Sequence, residues 1–184
     1  MMETSISTLF EQLESSDKNL QYEALLNLLA ITEEKVDWAY EVWDDLKSDL
    51  TNKDNHKRSR AAQFLSNLAI SDPEKRILSD FPPIWQVTKD PKTVTARHSL
   101  QAIWRIGLAG EEQLELVIRH LEDRYQNCSS EKNHTLVRYD IIEDFLKLYI
   151  ATGKEDLKTT ALSLIELEED PKYMKKYAAV WRNK

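Results

Sequence analysis

Four histidines (His56, His98, His120 and His134) and one cysteine, Cys128, are the side chains of this sequence best suited to hold a metal ion. A structural zinc site needs four such ligands at short, paired spacings. Only Cys128 and His134 share a loop, and no His-Glu-x-x-His run occurs, so neither a metal nor another cofactor is expected. Three glycines cannot build a phosphate-cradling loop, and no Gly-x-Ser-x-Gly nucleophile turn is present. The carboxylate pairs Glu33-Glu34, Asp44-Asp45 and Glu168-Glu169 carry acid-base groups. In an acidic chain, adjacent carboxylates on helices make a solvated face. No active site is marked, and a non-enzymatic role is expected.

Charge is distributed unevenly. The 184 residues carry a formal net charge of -7, yet residues 51–110 hold 10 basic and 5 acidic side chains. Residues 1–50 hold 12 acidic and 3 basic, and residues 111–184 hold 15 acidic and 12 basic. An acidic protein with a basic middle is repelled on average by nucleic acid and by anionic membranes. No apolar run reaches the roughly 18–20 residues that span a bilayer. A lone cysteine allows no internal disulfide, which suits a reducing compartment. The start, MMETSISTLFEQLE, lacks the basic and apolar regions of a signal peptide. A cytoplasmic monomer is expected.

The elements that must position these side chains are helices. Gly and Pro are scarce, and apolar residues recur at helical spacing nearly throughout. In 57–70, Ala61, Ala62, Leu65, Leu68 and Ala69 share one face. Asp72-Pro73, Asp90-Pro91 and Asp170-Pro171 each read as an Asp cap before a Pro at the first helical position. Gly110 and Gly153 read as stops or turns between helices. The spacing predicts ten helices, at 5–15, 18–31, 33–50, 55–70, 73–88, 91–108, 111–126, 132–151, 154–169 and 171–183. Pro82-Pro83 predicts a kink or break in the fifth, and the polar stretch 126–133 a mobile loop.

Segments of this pattern repeat. Residues 58–71 align on 96–109, and these on 138–151. Ala62, Leu100 and Ile142 then correspond, as do Leu65, Ile103 and Phe145, and Leu68, Ile106 and Leu148. Helix pairs at offsets of 38 and 42 residues suggest a solenoid. The run Phe81-Pro82-Pro83-Ile84-Trp85, then Asp90-Pro91, then Ala102-Ile103-Trp104-Arg105-Ile106-Gly107 resembles a repeat of the HEAT family. Arg97 stands one place late for that pattern, and Trp104 takes a position usually filled by a small residue. The resemblance implies an all-α fold: an α-solenoid of about five antiparallel HEAT-like helix pairs over residues 1–184, taken as a single repeat domain.

In such solenoids the second helices line the concave face. The resemblance therefore implies an inner ridge of Arg60, His98 and Asp140, then Gln63, Gln101 and Glu143, then Asn67, Arg105 and Lys147. Arg58, Arg97 and Arg138 extend its charge. Basic groups near helix N-termini oppose the macrodipole by some tenths of a kcal/mol, so a cluster held there suggests use. Large aromatics at helical spacing are usually core; of Trp38, Trp43, Trp85, Trp104 and Trp181, Trp104 borders the apolar stripe and is the candidate anchor. The expectation is a scaffold that binds a protein or peptide, one with an acidic segment, on the concave face. Two alternatives remain open. Some alkylpurine DNA glycosylases use a HEAT-like solenoid with a basic, Trp-bearing concave face, and the acidic N-terminal third (Asp37, Asp44, Asp45) could capture a basic partner.

Overall fold

The computed structural model describes residues 4–182 and Lys184. Positions 1–3 of the predicted N-terminal start and position 183, the expected end of the last helix, lie outside the described residues. Ten α-helices and no strand occur among the described residues. They are α1 (Thr4–Gln12), α2 (Lys18–Thr32), α3 (Ala39–Asp49), α4 (Asn55–Leu68) and α5 (Arg76–Val87). There follow α6 (Thr93–Leu100), α7 (Glu111–Asn127), α8 (His134–Thr152), α9 (Glu155–Glu166) and α10 (Pro171–Val180).

Consecutive helices pack as pairs: α1 on α2, α3 on α4, α5 on α6, α7 on α8, α9 on α10. The second helices then stack in order, α2 on α4, α4 on α6, α6 on α8 and α8 on α10. Five helix pairs stacked this way make an α-solenoid, in which each pair buries its stripe only against its neighbours. The aligned positions are the seam of the stack. Ala62, Leu65 and Leu68, Leu100, Ile103 and Ile106, and Ile142, Phe145 and Leu148 are all fully buried. One continuous apolar cluster runs from Ile6 to Trp181.

Helix starts follow the acids. Asp17 accepts from the N–H groups of Asn19 and Leu20, Asp54 from that of His56, and Asp170 from that of Lys172, with Pro171 opening α10. The other two Asp-Pro pairs do not open their helices directly. Asp72 reaches forward to the Ile77 N–H at 2.7 Å while Lys75 turns through the left-handed region (φ 54°), so α5 begins at Arg76 rather than 73. Asp90 accepts from the Lys92 N–H, and α6 begins at Thr93. Gly153 ends α8 with φ 67°, and its N–H bonds the Tyr149 carbonyl. A side chain there would strain the backbone.

Two expectations fail on packing, and of the kink or break expected in the fifth helix the break does not occur. α5 runs unbroken through Pro82 and Pro83. The prolines remove the N–H groups due to the Leu78 and Ser79 carbonyls, but buried Ile77, Phe81, Ile84 and Val87 hold the helix to the core on the other side. The predicted helix 91–108 stops at Leu100 and resumes as a 3-10 stretch, Ile103–Leu108. The tighter winding sets Gly107 against α8 and α7, where a Cβ would lie 2.9 Å from Leu148 Cδ2 and 3.2 Å from Leu114 Cδ1. The 126–133 loop is shorter and better tied than expected. Helix α7 extends to Asn127, Cys128 is fully buried, and Glu131 accepts from Arg124 at 2.9 Å.

Polar side chains bind each pair to the next. Arg58 of α4 takes Asp90, ahead of α6; Arg97 of α6 takes Asp140 of α8; Arg138 of α8 takes Glu168, ahead of α10. The Trp43 indole donates to Asp80, and Arg124 to the hydroxyl and carbonyl of Thr88. No helix among the described residues is long and apolar enough to cross a membrane.

Candidate partner-binding groove

Helix α4 forms the floor of a groove whose walls are α2 and the start of α6. The larger part encloses about 630 Å³ and is lined by Lys18, Gln21, Tyr22 and Leu25 of α2, by Asn55, His56, Ser59, Arg60 and Gln63 of α4, and by residues 92–95 and His98. A narrower part of about 180 Å³ continues from it past Gln63 and His98 to Leu29, Glu33, Asn67, Gln101 and Arg105. The α2 residues of the two parts, at 18, 21, 22, 25 and 29, recur at helical spacing and so share one face, which Glu33 continues just past the end of the helix. Ala24, Leu28 and Thr32 are buried on the other.

The predicted ridge divides into two groups. Arg60, Gln63, Asn67, His98, Gln101 and Arg105 come together along the groove. Of these, Asn67 is buried and ties α4 to α2 by donating to the Leu29 carbonyl and the Thr32 hydroxyl. Arg60 donates to the Leu13 carbonyl and stands 3.6 Å from Glu14. Arg105 pairs with Glu33 and lies over the Trp104 ring at 4.9 Å. Trp104 is half-buried against the core, with the Lys147 ammonium 5.9 Å from its ring centre. It is a packed aromatic with one polar edge rather than a free anchor.

The second group serves the stack and lies outside the groove lining. Arg58 donates to Asp90 at 2.6 and 3.1 Å and to the carbonyls of Asn52 and Lys53. Arg97 grips Asp140 through two bonds of 2.8 and 2.7 Å, and Gln101 donates to the same carboxylate. Arg138 bonds Glu168 and the Tyr125 carbonyl. Glu143 interacts with Tyr139 on the same helix. The opposing charges shift each other as expected. Burial alone would raise the Asp90 carboxyl, but the Arg58 guanidinium and the Lys92 N–H outweigh it and hold it below the usual range. Arg97 is raised by its bond to Asp140.

Asp144, one turn beyond Asp140 on α8, is different. It is fully buried and neither oxygen has a hydrogen-bond partner; the Lys147 nitrogen is 3.5 Å away. Burial pushes its carboxyl well above the usual range, against the weaker pull of Lys147. Among the described residues no three His, Cys, Asp or Glu side chains gather to hold a metal ion.

The ridge prediction missed the α2 wall and residues 92–95. Their signal was present: α2 reads KNLQYEALLNLLAIT, apolar on more than one face, and Tyr22 and Leu26 are left 60% and 48% exposed. A helix with apolar residues on two faces needs a second covering surface.

No protein-family model matches the chain, and no curated protein matches it. Solved structures do. An engineered protein from the Northeast Structural Genomics Consortium shares 20% identity over 97% of this chain and 79% of its own, with a TM-score of 0.55. A second engineered protein from that consortium shares 15% identity over 97% and 95%, with a TM-score of 0.50. A designed armadillo repeat protein shares 19% identity over 95% and 79%, with a TM-score of 0.49. The chain is thus similar in fold to the two engineered proteins, and its α-solenoid character follows from the stacking of its own helix pairs.

Proposed function

We propose that the chain, acting as one repeat unit over residues 1–184, is a non-enzymatic interaction module that holds a protein partner on the face bearing the α4 groove. One observation carries this reading. In a chain of net charge -7, the larger part of the groove is lined by no carboxylate and by Lys18 and Lys92, with Arg60, paired to Glu14, on its floor, beside exposed apolar side chains. A monomer in the cytoplasm accords with it. The nucleic-acid alternative draws less support, because Arg58, Arg97, Arg105 and Arg138 are each already paired with a carboxylate and therefore offer little net charge to phosphate.

A photo-crosslinking residue placed at His98, and at Glu115 on α7 as a control, tests the face in cells that make the protein. Crosslinks from His98 that disappear with Lys92→Glu are the expected result. Crosslinks from Glu115 alone would move the interaction to the opposite side. Arg97 is left intact in this test, since its reversal would place two carboxylates in contact at Asp140.

A further inference from the structure

Tyr22 and Val94 are 60% and 65% exposed, yet they stand on opposite walls of the same groove, with Leu25 beside Tyr22. The cations share that end. Lys18 begins α2, Lys92 precedes α6, and Arg60 lies between them on the floor. Carboxylates close to them in sequence are engaged elsewhere. Asp17 and Asp54 accept from N–H groups of their own helices, and Glu14 takes Lys57 at 2.7 Å and stands 3.6 Å from Arg60, so Lys18 and Lys92 are the groove cations that no carboxylate pairs among the described residues. The narrow end has the opposite character. Its cation, Arg105, is neutralised by Glu33, and it is lined by the amides of Gln63 and Gln101, whose NH2 groups already donate to Ser59 and Asp140, beside the buried Asn67.

The spacing admits a helix laid over α4. Packed neighbours lie about 8–10 Å apart, so the axes of α2 and α6 stand about 16–20 Å apart across α4, too close for a third helix to enter between them. A helix seated on α4 at the same packing distance lies about 11–14 Å from each wall axis, within reach of the exposed Tyr22 and Val94 side chains. Along α4, from His56 to Asn67, the groove runs about 17 Å, or three helical turns.

We propose that the occupant is an acidic amphipathic helix of about three turns laid along α4. Its apolar side chains, at i, i+3 or i+4 and i+7, pack on Tyr22, Leu25 and Val94. Its carboxylates gather at the end facing Lys18 and Lys92, and its uncharged polar residues meet the amides of the narrow end. This rests on the groove being the partner-binding face.

Selection of a displayed library of randomised, lactam-stapled helical peptides of about four turns against the full chain tests it. The enriched peptides should carry Asp or Glu in one half and apolar residues at helical spacing. Val94→Asp and Lys92→Glu, both at exposed positions, should each weaken them by about tenfold or more, with both variants retaining the wild-type circular dichroism. Enriched peptides that are basic or uncharged, or that tolerate a central proline, would overturn the acidic helix. If the two variants still abolished their binding, the groove itself would stand. Enriched peptides indifferent to both variants, or a selection that yields none, would overturn the occupant and the groove together. Self-association of the chain that Val94→Asp dissolves would identify a second copy as the occupant and overturn the proposal as well.

Discussion

Arg97→Met is the most informative single change in the stack. Asp140 is completely buried, and its charge is met by two guanidinium bonds from Arg97 and one amide bond from Gln101. Methionine keeps much of the arginine stem's volume and removes the charge. A buried carboxylate left without its cation costs about 3–5 kcal/mol. The Arg97 side chain is 32% exposed, so water can reach part of the vacated space and the lower end applies, about 3 kcal/mol. For a chain of this length each kcal/mol moves the melting temperature by about 2–4 °C, so the expected fall is about 6–12 °C. Urea denaturation followed by circular dichroism measures the free energy directly, with an unchanged m-value as the check that compactness is retained. The double variant Arg97→Met/Asp140→Leu separates pairing from packing. With both charges removed, most of the loss should return, because well-packed apolar replacements of buried ion pairs are often neutral. A single variant costing less than about 1 kcal/mol, or a double variant as unstable as Arg97→Met, would refute the account of Asp140 as a buried charge dependent on Arg97.

Asp144→Asn should stabilise the protein at neutral pH. The folded state holds this carboxyl well above its ordinary value, so it binds a proton that the unfolded chain releases above about pH 3.9. Wild-type stability from this group is therefore lost as pH rises from there through the folded value, and asparagine removes the dependence; parallel melting curves at low and neutral pH would reject it if the two proteins tracked each other. Gly107→Ala should destabilise by about 1–3 kcal/mol through overpacking against Leu148 and Leu114. Alanine's better helix propensity pushes the other way, so a rise in melting temperature would show that the contact yields easily.

The seam of the stack was legible because it depends on spacing. The aligned positions from Ala62 to Leu148 are buried wherever the 38- and 42-residue offsets placed them. Asp170-Pro171 was legible for a similar local reason, since a cap bonds N–H groups two or three residues on. What failed involved contacts distant in sequence. Arg97 and Asp140 are separated by 43 residues, and nothing in the pattern around either names the other. Arginines that looked like a free basic ridge were thus half a set of ion pairs. The split after Leu100 depends on the room that Leu148 and Leu114 leave for Gly107, a matter of packing alone. The α2 wall was overlooked because alignment of the second helices began at residue 58, one pair too late to include it.

Three of the arginines that join the pairs point forward along the chain, whereas Arg60, Arg76, Arg105 and Arg124 reach back to an earlier pair. Arg58 reaches forward to Asp90, Arg97 to Asp140 and Arg138 to Glu168, each donor lying one pair before its acceptor. The acceptors are the more deeply buried partners, with side chains 3%, 0% and 7% exposed. These three ion pairs, each carried by a second helix, have a direction that the remaining contacts between pairs do not all share. Cutting at a seam strands a cation on one fragment and a buried anion on the other, and the fragment keeping the anion suffers more. As far as these three pairs decide it, shortening from the C-terminal side should be tolerated better than shortening from the N-terminal side. A duplicated pair could be spliced in only if it arrived with its own acceptor facing back and its own donor facing on.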